Sequence, residues 1–209
     1  MTATGVPPAS LTISQTDPYN YGSQATGSST NQIFTITNTG GFGATAVGES
    51  GLALPYAFAG GSFPGTGGTC TATLAAGGSC DIVIAFSPIA NGVFNDTIEI
   101  DYFDGVNTQA SNRDVTGTGA PPALLTVGGP NPFDYGLLAT GSSTNQTFTL
   151  TNSGGVPATG LVGSALAAPF TFAGGTFPGV GGTCAATLAA GGSCMFVVNY
   201  SPTTTGAHV

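Results

Sequence analysis

The chain has 209 residues, a formal net charge of −8 and a single basic side chain, Arg113, with no lysine. One arginine cannot neutralise a run of phosphates or dock on an anionic bilayer, and no apolar run nears the ~20 residues of a spanning helix, so nucleic acid and membrane insertion are excluded as partners of this segment. Charged residues are only 5%, but an apolar share of 41% with 13 Phe and 6 Tyr argues against disorder and supplies a core, and the wealth of Thr, Val, Ile and aromatics points to strands.

In chain order, residues 2–8 match residues 116–122, so residues 1–8 are expected to be the tail of a preceding repeat. Neither a charged n-region nor an apolar h-region follows Met1, so no signal peptide is visible in this stretch, and an exported protein would have had its signal removed. Residues 11–13 open the first complete repeat as a strand. Residues 18–22 carry Pro18, Tyr19 and Tyr21 and read as an aromatic-bearing bend. Residues 33–37 alternate apolar and polar and end at a turn signal, Asn38 to Gly41. Residues 70–74 and 81–86 read as a hairpin closed near Ala75, with Ile82, Ile84 and Phe86 on one face, ended by Ser87 and Pro88. Residues 97–103 place Ile98, Ile100 and Tyr102 on one face and Thr97, Glu99 and Asp101 on the other, the pattern of a strand with one wet side. Asp104 and Gly105 supply a turn, residues 109–116 return as the closing strand, and residues 117–122 read as a linker stiffened by two prolines.

The pattern then begins again. Residues 9–95 match residues 123–209 at a constant offset of 114, as from Cys70 to Cys184, with about 50 of 87 positions identical. The expected division is a tail at 1–8, a complete repeat with closing strand and linker at 9–122, and a second repeat at 123–209. That second repeat lacks counterparts of residues 96–122, so it is expected to be C-terminally incomplete. Two origins stay open: a segment of a longer array, or completion by a strand donated from a neighbour. About seven short strands per repeat, parted by Gly and Pro turns, describe an all-β, two-sheet sandwich.

The aromatic-Gly bend, the Asn38-Thr-Gly40 and Asn152-Ser-Gly154 turns, the Leu-Ala-Ala-Gly-Gly-Ser-Cys loops and Thr116-Gly-Thr-Gly119 resemble the bacterial choice-of-anchor D repeats. Those are similar to the wider abnormal-spindle/hydin-like immunoglobulin folds. The resemblance implies tandem immunoglobulin-like β-sandwiches, usually in large exported or cell-surface bacterial proteins, with no shared catalytic site. The near lack of charge and Gly-rich inserts such as residues 58–69 depart from that family.

Cys70, Cys80, Cys184 and Cys194 give the same spacing in each repeat. A structure that recurs by duplication pairs within each unit, so Cys70–Cys80 and Cys184–Cys194 are the expected disulfides, implying an oxidising compartment. Zinc is the competing reading, but the spacing is long for a zinc knuckle and His208 is the only histidine. His208 has Phe94 as its counterpart, and a serine triad would need that histidine in a framed site. Glu99, Asp101 and Asp104 could pair as hydrolytic carboxylates, and residues 101–107 could offer oxygens to calcium, but the ordinary reading of both is the wet face of a strand and its turn. The Gly-rich stretches lack the lysine of a phosphate loop. Asn95, Asn145 and Asn199 begin N-glycosylation tripeptides. Phe58, Phe63, Phe172 and Phe177 recur in Gly-rich loops as candidate ligand or packing aromatics. The expectation is a non-catalytic structural protein with no cofactor and no metal, outside the cell or at its surface, forming a stalk, layer or filament with other copies or adjacent repeats. The alternative is an adhesin whose partner is a glycan or a protein.

Overall fold

The computed structural model describes residues 1–208; Val209, the end of the expected second repeat, lies outside the described residues. The chain divides into two units, Met1–Ala120 and Pro121–Val209. No described residue is helical, so the protein is all-β.

The first unit holds nine strands: β1 (Leu11–Ile13), β2 (Tyr19–Ala25), β3 (Thr30–Asn38), β4 (Ala44–Glu49), β5 (Tyr56–Phe58), β6 (Thr73–Leu74), β7 (Ser79–Phe86), β8 (Gly92–Phe103) and β9 (Thr108–Ala120). They form one sheet in the order β1-β3-β7-β5 and another in the order β2-β9-β8-β4-β6. Alternation decides which side chains go in. Phe34 and Ile36 of β3, Ile82, Ile84 and Phe86 of β7, and Ile98 and Ile100 of β8 are all fully buried and meet in one core. Each such side chain contributes about 1.5–3 kcal/mol relative to exposure. The hydroxyl of Tyr102 accepts a bond from the Leu11 amide at 3.2 Å, tying β8 to β1.

Three local expectations differ from the structure. The pair 70–74 and 81–86 is not a hairpin: Thr73 and Leu74 bond to Thr45 and Ala44 of β4, while β7 lies between β3 and β5. The chain does stay beside β7 at Thr69 and Cys70, whose amides both donate to the Asp81 carbonyl, and then crosses to the other sheet to bury Leu74. The bend at 18–22 is a strand, because β2 finds a parallel partner in β9, with one irregularity between Asn20 and Ser23. Residues 117–120 are not linker. They pair with β8 from Gly92 to Phe94 on one side and with β2 on the other. Gly117 is needed there because a Cβ would lie 2.7 Å from the Phe86 ring.

The second unit holds β10 (Leu125–Val127), β11 (Thr144–Asn152), β12 (Ala158–Thr159), β13 (Phe170–Phe172), β14 (Thr187–Leu188) and β15 (Ser193–Tyr200). One sheet has the order β10-β11-β15-β13, the other is the pair β12-β14. The register repeats that of the first unit: Leu125 faces Asn152 as Leu11 faces Asn38, and Leu150 faces Cys194 as Ile36 faces Cys80. Residues 133–139, which correspond to β2, carry no strand.

Candidate functional site

Each unit is pinned at the same corner. Cys70 is bonded to Cys80 and Cys184 to Cys194, with Cα separations of 4.8 and 4.9 Å. Cys70, Cys184 and Cys194 are buried and Cys80 packs against the core. Such bonds form and persist under oxidising conditions.

Beside each disulfide sits a buried asparagine. The Asn38 Oδ1 accepts from the amides of Ser10 at 3.1 Å and Gly40 at 3.0 Å. Its Nδ2 donates to the carbonyl of Phe42 at 2.8 Å and reaches those of Leu74 and Ala75 at 3.2 Å. Asn152 makes the corresponding set with Leu124, Gly154, Val156, Leu188 and Ala189. One side chain thus satisfies backbone groups of three segments that no ladder reaches. The glycine two residues on is equally constrained: a Cβ on Gly40 would lie 2.1 Å from the Pro8 carbonyl oxygen, and one on Gly154 the same distance from that of Pro122. Sequence reading saw this Asn-x-Gly run as a turn and missed its role as a buried node; the signal available was an asparagine ending an alternating strand at a buried position.

Of the four aromatics expected in Gly-rich loops, Phe58 and Phe172 instead end the strands β5 and β13, and each packs on the loop ring that follows it. Phe58 is buried, with Phe63 edge-on to it at 5.6 Å, and Phe172 meets Phe177 edge-on at 5.4 Å. The acidic candidates are not brought together as a pair of free carboxylates. Glu99 accepts from the Ser50 hydroxyl at 2.9 Å. Asp104 closes its own turn, accepting from the amides of Val106 at 2.6 Å and Asn107 at 2.7 Å and from Gln109 at 3.1 Å. Those backbone donors hold its carboxyl below the usual carboxylate range. His208 has both ring nitrogens engaged, with Tyr200 at 3.0 Å and Thr204 at 3.2 Å. No group of three or more His, Cys, Asp or Glu that could hold a metal occurs among the described residues. Asn145 and Asn199 of the glycosylation tripeptides bond to each other at 2.7 Å across β11 and β15, and Asn95 is exposed. Arg113 lies inside β9, donating to the Ile13 carbonyl at 2.5 Å and pairing with Asp17 at 3.5 Å.

Aromatic hydroxyls mark how well each core is closed. Tyr56 donates to the Phe94 carbonyl at 2.9 Å, and burial, with Asp96 nearby, pushes its pKa up to about 12. Tyr21 donates to the Ile84 carbonyl at 3.1 Å and is raised further, first by burial and then by Tyr19 and Tyr56. Its counterpart Tyr135 is also raised by burial, yet its hydroxyl is buried with no partner. Two apolar grooves run along the inner face of the second unit. One, of about 630 Å³, is lined by Leu125, Leu150, Leu161, Phe172, Phe177 and Phe196 among others. Another, of about 520 Å³, includes Val127, Phe133, Tyr135, Phe148 and Phe170.

No family model matches the chain, and no curated protein matches it. Among solved structures, a protein of unknown function from Porphyromonas gingivalis aligns with a TM-score of 0.41 at 11% identity, over 91% of this chain and 83% of its own. A PapD-like domain of human CEP192 aligns with a TM-score of 0.39 at 12% identity, over 58% of this chain and 91% of its own. A CARDB domain from Pyrococcus furiosus, solved with di-metal ions, gives 0.34 at 15% identity, over 56% of this chain and 99% of its own. None of these likenesses is close enough to carry an inference about this chain.

Proposed function

We propose that the chain is a non-catalytic extracellular structural protein whose tandem repeats are immunoglobulin-like sandwiches that build a surface stalk, layer or filament. The observation that carries this reading is the recurrence of one frame: the same strand register, the same buried asparagine and the same disulfide return 114 residues later, from Cys70–Cys80 to Cys184–Cys194. What is kept between the copies is the frame rather than a reactive group. Durability supports it as well. The chain has no lysine, and its one arginine is held in the middle of a paired strand with only 17% of its side chain exposed, so trypsin-like proteases find almost nothing to cut.

Negative-stain microscopy of the purified protein tests the reading. Regular fibres or sheets are the expected outcome. Dispersed particles that bind glycans on an array would replace it with the adhesin alternative. In that case the exposed loop edges, rather than the paired rings of Phe58 with Phe63 and Phe172 with Phe177, would carry the contacts.

A further inference from the structure

An asparagine followed by glycine occurs once in the chain, at Asn91-Gly92. The pair lies in the short connection that leaves β7 at Phe86 and enters β8 at Gly92. Both residues are exposed, Gly92 holds a φ of 135° in the region that favours glycine, and a Cβ built on it would meet nothing within 4 Å. A residue without a Cβ leaves its amide nitrogen open to the carboxamide before it, the condition under which an asparagine side chain closes on the backbone. The same turn returns in the second unit as Thr205-Gly206, with a φ of 125° at the glycine. The frame therefore asks for glycine in both copies, while only the first copy places a carboxamide before it.

Every other asparagine precedes a residue that carries a side chain. Several are also tied down: Asn38 and Asn152 are fully buried, the Asn20 Oδ1 accepts from the Gly22 amide at 2.7 Å, and Asn145 bonds to Asn199. Asp104-Gly105 is the acidic rival for the same cyclisation, and its geometry opposes it. Asp104 is 5% exposed, its Oδ1 accepts from the amides of Val106 and Asn107, and its Oδ2 accepts from Gln109. The space beside Gly105 is filled by the Phe42 ring, 2.7 Å from where a Cβ would stand.

We propose that Asn91 is a self-modification site that converts, without an enzyme, to aspartate and isoaspartate through a cyclic imide with Gly92. The Gly92 nitrogen, its proton taken by base in the solvent, bonds to the Asn91 Cγ. The Cγ–Nδ2 bond breaks, and the amide nitrogen takes a proton from water and leaves as ammonia. Water then adds to one of the two imide carbonyls. Opening at the side-chain carbonyl gives aspartate. Opening at the main-chain carbonyl gives isoaspartate, whose backbone runs through the side chain and is one methylene longer. Either product adds one negative charge to the formal −8 of the chain. The longer product also strains the sheet. Gly92 pairs with Gly119 and Val93 with Thr118, and a Cβ on Gly119 would lie 2.1 Å from the Ala90 carbonyl oxygen. The end of β9 thus lies against this connection without slack, so an added methylene displaces the first pairs of the hairpin and leaves Ile98 and Ile100 in the core. This chemistry belongs to one turn, so it survives or falls separately from the structural role proposed above.

The test incubates the full 209-residue chain in mildly alkaline buffer made with heavy-oxygen water. Reduction, chymotryptic digestion and mass spectrometry with electron-transfer fragmentation then map the products. Progressive loss of the Asn91 amide is expected, with one heavy oxygen taken up per event and both aspartate and isoaspartate at that position, while Asp104 stays aspartate. Isoelectric focusing should show an acidic shift of one charge. Hydrogen exchange of the converted chain should lose protection at residues 92–94 and 117–119 and keep it at 98–100. Asn91→Thr, which borrows the residue of the second unit, should abolish the acidic shift and keep the parent protection. An Asn91 amide that survives the incubation, aspartate without isoaspartate, or isoaspartate at Asp104 would each overturn the proposal.

Discussion

Replacing Cys70 and Cys80 together by alanine isolates the contribution of one disulfide while leaving the other as an internal reference. The bond closes a loop with a sequence separation of 10. The chain-entropy relation then gives a stabilisation of ~2.7 kcal/mol, which is about a hundredfold in the opening equilibrium. The sulfurs are also core atoms, since Cys70 is buried and Cys80 packs against the core, so their removal adds a packing loss to the entropic one. Hydrogen exchange of the β3 and β7 amides reads the first unit by itself. Protection there should drop about a hundredfold in the double variant, while protection in β11 and β15 keeps its parent value. A drop of less than about fivefold would refute the argument that the bond acts by restricting the unfolded chain. Peptide mapping that joined Cys70 to Cys184 or Cys194 would refute pairing within each unit.

Asn38→Ala should destabilise the first unit by about 3–4 kcal/mol, since it leaves several buried backbone groups unpaired at roughly 1–3 kcal/mol each; urea unfolding followed by tyrosine circular dichroism measures it. Gly117→Ala should cost about 1–3 kcal/mol through its contact with Phe86, whereas Gly48→Ala, which meets nothing within 4 Å, should leave the midpoint unchanged. Ala46 holds a left-handed φ of 50°, where the second unit has Gly160 at 70°. Ala46→Gly should therefore raise stability by about 0.5 kcal/mol, relief of strain exceeding the added freedom of the unfolded chain. Tyr56, with its pKa raised from 10.0 to about 12, stabilises the fold fully below pH 10, and that stability is lost as pH rises through 12. Alkaline unfolding should accordingly shift to higher pH in Tyr56→Phe, as followed by far-ultraviolet circular dichroism.

The alternating strands were legible because alternation states directly which side chains are buried. Ile82, Ile84 and Phe86, and likewise Ile98, Ile100 and Tyr102, all point inward. Pairing was harder, since partners are set by the whole sheet. Nothing local to residues 73–74 distinguishes a hairpin with β7 from a bridge to β4, and the GGS turn favoured the wrong one. Residues 18–22 carry proline and glycine, which mimic a bend, and only a distant partner, β9, makes them a strand. Residues 117–122 looked like linker because Gly, Thr and Pro are linker residues, yet at Gly117 the small side chain answers the Phe86 ring. The Asn38 node was hidden because its value lies in five backbone groups from segments far apart in sequence.

β2 exists only where β9 lies alongside it, and β8 and β9 come last in their unit. Synthesis delivers a protein from its N-terminus, so the nascent first unit passes through a stage in which residues 9–91 have emerged without their cover. At that stage it holds only the portion of the fold that residues 123–208 display, with oily walls facing water and Tyr21 lacking its strand partner. The speed with which the final hairpin follows sets how long that sticky intermediate waits beside its neighbours on the ribosome.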